Sequence, residues 1–491
     1  MGYTIGNIYV ITTVAVIGGA LFGFDISSMS AILGTQQYRC FFNQTGVNKK
    51  GECGGPTSST QGGISAAMPG GSFVGALVSG ILTDWLGRRR AIQVGSIIWC
   101  IGSAISCSSF SIGQLVVGRF INGLSVGILS AQVPVYVAEL AQPSKRGTVV
   151  GAQQWAITWG ILIMFYVSYG SSFLDVFLFF MVFIMPESPR WLAKHDRWEE
   201  AHEVLALVHA KGDRNDTFVQ TELQEIRDMV EFERQNSDAS YLDLFKPNMI
   251  YRTHIGMFTQ IWSQLTGMNV MMLYITLEIA MYLAWLVSSG NANLVASSIQ
   301  YVINVVMTIF ALLFIDRWGR RVPLLVGSTL MMTWMFANAG IMASYGKPAP
   351  PGGLNNTREQ SWDLGDSPAA AKGVIACTYL FVASFAPTWG PVSWIYPPEL
   401  YPLRLRGKAV AVSTASNWIF NFALSYFVPP AFENIKWKVY LVFGPWKTSV
   451  QFKHVRQLET GAIQSEKMAE FREERAGSLG KDTAPVSKAE V

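Results

Sequence analysis

The stretch 84–89 reads Asp-Trp-Leu-Gly-Arg-Arg, and the stretch 316–321 reads Asp-Arg-Trp-Gly-Arg-Arg. Each follows a long apolar run, and the shared spacing of Asp, Gly and Arg predicts a chain built from two related halves. A second pair of motifs repeats in the same order, Glu139 with Arg146 and Glu399 with Arg406, each seven residues apart. Gly permits a tight turn, and charged groups at helix ends can pair with neighbouring helices or with terminal carbonyls. We therefore predict links that hold one face of the molecule closed, formed by Asp84, Arg88, Glu139, Arg146, Asp316, Arg320, Glu399 and Arg406.

The composition places the chain in a lipid bilayer. Of its 491 residues, 50% are hydrophobic and only 14% are charged, and the mean hydropathy is +0.28. A soluble protein carries about 25% charged residues, and a disordered chain is poorer in apolar residues. The net charge of +4 is too small and scattered to favour nucleic-acid binding. The five cysteines show no metal-ligand spacing, so no metal and no cofactor are expected.

Runs of about 20 apolar residues predict membrane-spanning helices, because a helix needs that length to cross the hydrocarbon core. Ten such runs occur, at residues 8–30, 61–82, 91–109, 111–138, 149–170, 255–285, 295–315, 322–344, 374–399 and 408–428. Two further runs, Phe173–Met185 and Val439–Trp446, are too short to cross a bilayer as straight helices.

The composition also divides the chain. The charged stretch between Pro186 and Lys246 predicts short amphipathic helices near residues 198–208 and 219–233, whereas the polar tail predicts at most a helical segment at 465–475. We therefore predict four parts: an N-terminal transmembrane bundle at 1–185, a cytoplasmic linker at 186–250, a C-terminal transmembrane bundle at 251–446 and a cytoplasmic tail at 447–491.

Basic residues predict the orientation of the helices. They concentrate in alternate loops, at 88–90, 145–146, 317–321 and 404–408, which lie on one face if the N-terminus is cytoplasmic. The sequons at Asn43 and Asn355 then lie outside, where glycosylation is possible. Cys40 and Cys53 flank one outside loop, and the sequence leaves open whether they form a disulfide or stay reduced.

Several motifs give the chain a family resemblance. They are Gly23-Phe24-Asp25, Gly118-Arg119, Pro186-Glu187-Ser188-Pro189-Arg190, the stretch Gln264–Asn269 and Trp389-Gly390-Pro391. With both Asp-x-x-Gly-Arg-Arg loops, they make the sequence resemble the sugar porter family of the major facilitator superfamily, most closely the fungal high-affinity hexose transporters. The resemblance implies an all-α polytopic membrane protein with two pseudo-symmetric bundles of nominally 12 helices. It also implies uptake of a monosaccharide by alternating access.

Amide side chains on apolar helices are the candidates for binding a sugar, because they both donate to and accept from hydroxyl groups. An isolated amide can instead serve a bond between helices. The residues themselves indicate Gln154, Gln260, Gln264, Asn269, Asn304 and Asn417. In similar sugar porters the matching positions of all of these except Gln260, together with that of Trp394, contact the sugar. Ser263 departs from the family, which usually has a second Gln there.

Asp25 lies inside the first apolar run, where a charge is costly. Arg119 is the cation best placed to face it within the first half. Separation of the pair would raise the pKa of Asp25 and let it take a proton, which makes Asp25 and Arg119 candidates for proton coupling. A static salt bridge between helices is the alternative.

The pattern breaks in two places. The family fits a complete sixth helix between Gly170 and Pro186 and a twelfth helix after Pro445, and this chain has neither in full. Truncation of helices 6 and 12 favours an error in the gene model or a decaying paralogue over a functional variant.

The favoured function is transport of a hexose such as glucose, or of xylose, by a monomeric proton symporter in the plasma membrane. The alternatives are a sugar sensor that does not transport, a transporter of a polyol, quinate or disaccharide, and an inactive paralogue. An enzyme is not expected, because no nucleophile–base constellation or phosphate-binding loop occurs.

Overall fold

In a computed structural model of the chain, the described residues are 8–33, 36–47, 53–142, 146–166, 187–210, 212–235, 240–247, 249–268, 271, 292–349, 361–364 and 367–443. The short sixth run at 173–185, Asn269, the sequon at Asn355 and the tail at 447–491 lie outside them.

The first half and the linker are helical. The first half contains α1 (Ile8–Ala15), α2 (Ile17–Leu33), α3 (Gln36–Phe41), α4 (Ser58–Leu86), α5 (Arg88–Cys107), α6 (Ile112–Leu140) and α7 (Arg146–Tyr166). The linker contains α8 (Pro189–Lys194), α9 (Trp198–His209), α10 (Thr217–Gln235) and a 3-10 helix (Tyr241–Phe245). The two amphipathic helices predicted in the linker are therefore present as α9 and α10.

The second half contains α11 (Ile250–Leu265), α12 (Ala292–Trp318), α13 (Arg321–Tyr345), α14 (Pro368–Phe385), α15 (Trp389–Leu400), α16 (Leu403–Ile435), a 3-10 helix (Lys436–Lys438) and α17 (Val439–Phe443). Two short antiparallel strands, β1 (Lys347–Pro348) and β2 (Trp362–Asp363), pair Lys347 with Asp363 and Pro348 with Trp362.

By length and composition, six spans of the described chain can cross a membrane: Ser58–Leu86, Arg88–Cys107, Ile112–Leu140, Ile299–Trp318, Arg321–Tyr345 and Pro368–Leu400. Each coincides with a predicted apolar run, although several continue past the run at one or both ends. The predicted run at 408–428, which is not among these six, likewise lies inside a longer helix, Leu403–Ile435. Polar residues at the end of an apolar run do not end a helix, because the backbone hydrogen bonds continue into the more polar layers.

Two of the predicted apolar runs are interrupted in the structure. The run at 255–285 breaks after Leu265, where Gly267 has a φ of +79°, a left-handed conformation that glycine adopts without strain. The run at 374–399 breaks at residues 386–388, between α14 and α15. The first break follows the candidate sugar-binding residue Gln264, and the second precedes the Trp389-Gly390-Pro391 motif on the helix that carries the candidate Trp394.

The first half is held together by close contact between α4 and α6. A Cβ added to Gly71 or Gly75 would lie 2.1 Å from a carbonyl oxygen of α6, and one added to Gly123 or Gly127 would lie 2.1 Å from a carbonyl oxygen of α4. These are two small-xxx-small motifs facing each other, the arrangement that lets helix backbones touch in lipid. The two helices therefore pack with no side chain between them at these points.

The two halves meet along α4 and α16, which run antiparallel. At one end, the Ser58 hydroxyl donates a hydrogen bond to Glu433 Oε2 at 2.5 Å, and at the other end Lys408 Nζ lies 2.8 Å from Asp84 Oδ2. The second end carries the Arg-rich motifs and is called the basic face below. On the opposite face, Cys40 and Cys53 form a disulfide, which resolves the alternative that the sequence left open.

Candidate functional site

A cavity lies between the two halves and is lined by residues of both. The first half lines it with Phe22 of α2 and with Gln154, Ile157 and Ile161 of α7. The second half contributes the rest of the lining: Ser263, Gln264, Met268, Asn304, Phe385, Gly390, Ser393, Trp394 and Asn417. Five of the predicted sugar-binding residues, Gln154, Gln264, Asn304, Trp394 and Asn417, thus share one cavity.

Three amides on α11 and α16 form a hydrogen-bonded chain beside the cavity. Gln264 Nε2 donates to Asn417 Oδ1 at 2.8 Å, and Asn417 Nδ2 donates to Gln260 Oε1 at 2.5 Å. Gln260 Nε2 donates to the Ser393 carbonyl at 2.8 Å. A carbonyl oxygen can only accept, so this last bond fixes the direction of all the others and hence the orientation of each amide. Gln260 supports Asn417 without lining the cavity, which places it behind the site.

Asn304 contributes an acceptor to the same cavity. Its side chain is buried, and its Oδ1 has no hydrogen-bond partner within the described residues. A buried acceptor without a partner costs about 1–3 kcal/mol, so a hydroxyl donor placed there would be stabilised.

Aromatic rings close one side of the cavity. Phe22 of α2 lies edge-on to Trp394, with the ring centroids 6.4 Å apart, and edge-on to Trp418, with the centroids 4.8 Å apart. Phe22 was not predicted from the sequence, because a Phe in an apolar run gives no signal that separates a site residue from a packing residue. Its only pointer was its position immediately before the Gly23-Phe24-Asp25 motif.

The candidate proton-coupling pair is described only in part. Arg119 is buried in α6, and its Nε donates to the Ile64 carbonyl of α4 at 3.0 Å. The backbone of Asp25 belongs to α2, and its side chain lies outside the described residues. The pairing of Asp25 with Arg119 therefore stays a prediction.

In each half, the Asp-x-x-Gly-Arg-Arg loop and the end of a later helix form an Arg–Glu clamp. In the first half, Arg88 Nε and Nη2 donate to both carboxylate oxygens of Glu139, at 3.1 and 2.9 Å. In the second half, Arg320 Nε and Nη2 donate to both oxygens of Glu399, at 3.0 and 2.6 Å. Such bidentate pairs fix both distance and angle. The predicted repeat is thus visible as matching geometry.

The clamps join helices of the same half, whereas the aspartates of the same motifs contact residues of the other half. Asp84 pairs with Lys408 of α16. Asp316 Oδ2 accepts hydrogen bonds from the Thr148 backbone N–H at 3.1 Å and from its hydroxyl at 2.7 Å. Arg406 Nη2 donates to the Tyr401 carbonyl of its own half at 3.4 Å, and Arg146 begins α7 with its side chain outside the described set. Of the predicted links, Asp84 and Asp316 thus make contacts between the halves within the described residues.

The pKa values of two charged groups outside the membrane spans are shifted by their surroundings. Burial raises the pKa of the Glu187 carboxyl, and hydrogen bonds from the backbone N–H groups of Ser188 and Arg89 offset part of that effect. Burial alone would lower the pKa of the Arg320 guanidinium, but the carboxylates of Glu399 and Asp316 hold it above its usual value. The Arg320 guanidinium therefore stays protonated at neutral pH.

A family model described as "Sugar (and other) transporter" matches residues 11–447 of the chain. The chain belongs to this transporter family. The match covers both halves and the linker, and it confirms the resemblance inferred from the motifs.

Two fungal proteins are similar to this chain over most of their length. A high-affinity glucose transporter of Kluyveromyces lactis is 44% identical over 463 residues, which are 90% of this chain and 81% of that protein. The glucose transporter mfs1 of Aspergillus flavus is 44% identical over 471 residues, with 90% of this chain and 85% of that protein covered.

Among solved structures, the fold is shared with the proton:xylose symporter XylE bound to 6-bromo-6-deoxy-D-glucose, with a TM-score of 0.69 and 22% identity. The likeness covers 94% of this chain and 95% of that one. It confirms the predicted fold class, an all-α membrane protein of the major facilitator type.

Proposed function

We propose that the protein carries a hexose such as glucose across the plasma membrane by alternating access, as a monomer with a cytoplasmic N-terminus. The observation that carries this proposal is the cavity between the halves, where Gln154 of one half faces Gln264, Asn304 and Asn417 of the other. A polyhydroxylated ligand held by both halves would be released when either face opens. The two relatives named as glucose transporters support a hexose as the cargo.

The amide chain favours a sugar over an apolar or an ionic cargo. Amides of fixed orientation offer both donors and acceptors, and the Asn304 oxygen calls for a hydroxyl donor. The aromatic ring of Trp394 provides a platform for the weakly apolar face of a sugar ring.

We propose further that transport is coupled to protons through Asp25 and Arg119. Arg119 is a buried cation in the first half, and its Nε donates a hydrogen bond to the Ile64 carbonyl of α4. The name of XylE as a proton symporter supports coupling in a protein of this fold.

Uptake of labelled glucose in a yeast strain without its own hexose transporters tests the proposal. Asn417→Ala should lower uptake at subsaturating glucose by at least about tenfold, because it leaves the polar groups of Gln260 and Gln264 without their partner. Asn434→Ala removes an exposed amide of the same helix and should transport normally at equal surface expression. Normal uptake by Asn417→Ala would contradict the site.

The same uptake assay tests proton coupling and the alternative that the protein is a sugar sensor. Loss of uptake after addition of an uncoupler supports proton coupling, and uptake that resists the uncoupler overturns it while leaving sugar transport in place. Glucose-dependent signalling without uptake would favour the sensor.

A further inference from the structure

The last segment of the linker is fixed to the second half. Its 3-10 helix, Tyr241–Phe245, is closed by a capping box between Ser240 and Asp243, in which the Ser240 backbone N–H donates to Asp243 Oδ2 at 2.7 Å. Leu244 is fully buried, and its carbonyl accepts a hydrogen bond from the Thr253 hydroxyl of α11 at 2.8 Å. The segment therefore has a fixed position relative to α11.

The side chain of Tyr241 leaves this segment and reaches the first half. Its hydroxyl donates to the Leu77 carbonyl of α4 at 2.8 Å, 164 residues earlier in the chain. The ring fits there because residue 80 is Gly: a Cβ at that position would lie 2.0 Å from the Tyr241 hydroxyl oxygen and 3.0 Å from its Cζ. The absence of a side chain at residue 80 thus forms the notch that receives the tyrosine.

Tyr241 also stands beside the ion pair that crosses between the halves. Lys408 Nζ lies 6.0 Å from the centre of the Tyr241 ring and 2.8 Å from Asp84 Oδ2. Contacts of α4, α16 and the linker therefore converge at one point of the basic face.

We propose that Tyr241 is a latch that holds the basic face closed by fastening the linker and the second half to α4. The inference rests on the proposed alternating access and adds to it one contact, the hydrogen bond from the Tyr241 hydroxyl to α4 beside Gly80. Opening this face moves α4 away from α16, so the hydroxyl must leave the Leu77 carbonyl in each cycle.

The chemistry of the contact suits a reversible latch. Burial, with the nearby Asp84 carboxylate, raises the pKa of Tyr241 to about 12, so the hydroxyl keeps its proton and remains a donor at neutral pH. The Leu77 carbonyl lies inside a helix and has a second lone pair for the tyrosine. A neutral hydrogen bond of this kind contributes modestly to stability, which allows it to break in each cycle.

Distances between spin labels on the basic face test the latch without any transport. The labels are placed at residues 85 and 322, whose side chains are 76% and 57% exposed, in a protein whose free cysteines have been replaced. Tyr241→Phe should raise the ratio of open to closed populations by roughly threefold to tenfold, since it removes only the hydrogen bond. Tyr345→Phe removes a hydroxyl from a tyrosine that is 59% exposed and should leave the ratio unchanged.

Loss of one hydroxyl can change the ratio of open to closed populations too little to measure. Two larger changes therefore test the same contact. Gly80→Ala should open the basic face by displacing the ring, and Tyr241→Ala should open it by removing the ring. If both act on one contact, the double variant should be no more open than Tyr241→Ala alone. Additive effects of the two substitutions, or a ratio that is unchanged in Tyr241→Ala as well as in Tyr241→Phe, would overturn the latch.

The spin-label distances test the latch separately from the identity of the transported molecule. Altered distances in a protein that takes up no glucose would support the latch and overturn the proposed function. Normal glucose uptake, with distances unaltered in both Tyr241→Phe and Tyr241→Ala, would support the proposed function and overturn the latch.

Discussion

The two Arg–Glu clamps use the same motif in surroundings that differ. In the first half, the side chains of Arg88 and Glu139 are 11% and 3% exposed, and Glu139 also accepts a hydrogen bond from the Ser188 hydroxyl at the start of the linker. In the second half, Arg320 and Glu399 are 18% and 27% exposed. Equal geometry therefore does not mean equal energy, because the cost of losing a partner depends on how much water can replace it.

The largest effect is expected when the first clamp is broken. Glu139→Ala leaves Arg88 as a buried charge without its carboxylate, which should destabilise the protein by about 3–5 kcal/mol. Thermal unfolding of the purified protein in detergent, followed by tryptophan fluorescence, measures the loss. Ser188→Ala is the matched control, since it removes one hydrogen bond to Glu139 and keeps the ion pair.

Breaking the second clamp should cost less. Glu399→Ala removes two charge-assisted hydrogen bonds at a site that water can enter, so the expected loss is about 1.5–3 kcal/mol. The same unfolding experiment compares it with Glu139→Ala. Equal losses in the two variants would show that the difference in burial has no energetic consequence.

A still smaller effect on stability is expected between the halves. The side chains of Lys408 and Asp84 are 19% and 37% exposed, and exposed ion pairs contribute about 0–1 kcal/mol. Asp84→Asn should therefore leave the unfolding midpoint nearly unchanged, at low and at high salt. A loss as large as that of Glu139→Ala would mean that Asp84 belongs to the first clamp rather than to the contact between the halves.

The smallest effect concerns Glu187, which lies beside the first clamp. Because burial raises its pKa in the folded protein, the folded state holds this proton more tightly than the unfolded chain does. Its contribution to stability is thus present below the unfolded pKa and is lost as the pH rises through the folded value. The unfolding midpoint of Glu187→Gln should depend less on pH across this window than that of the unaltered protein, and an identical dependence would contradict the assignment.

The sequence predicts well what a single segment determines. The apolar runs locate the spans because a membrane helix must be apolar over its own length, whatever it packs against. The amides on those runs are few, and burying them in lipid is costly, so Gln264, Asn304 and Asn417 were recognisable as candidates before their partners were known. The two motif copies were recognisable because both carry Asp, Gly and Arg at the same spacing.

What depends on packing between segments could not be predicted. Nothing near Asp84 in the sequence indicates Lys408, and nothing near Asp316 indicates Thr148, because both contacts arise only when the two halves meet. The break at Gly267 was also missed, since a glycine in an apolar run is compatible with a continuous helix until its φ is known. The Tyr241 contact could not be predicted either, because it forms only where α4, α16 and the linker meet.

The glycine-lined contact between α4 and α6 sets how motion can spread through the first half. With backbone against backbone, no side chain is available to change rotamer and absorb a displacement, so one helix cannot slide without carrying the other. A spectroscopic reporter on the lipid side of α4, for instance at Val78, would accordingly report the displacement of both helices as one rigid unit, and bulky replacements at residues 71 or 123 should uncouple that reporter from its neighbours.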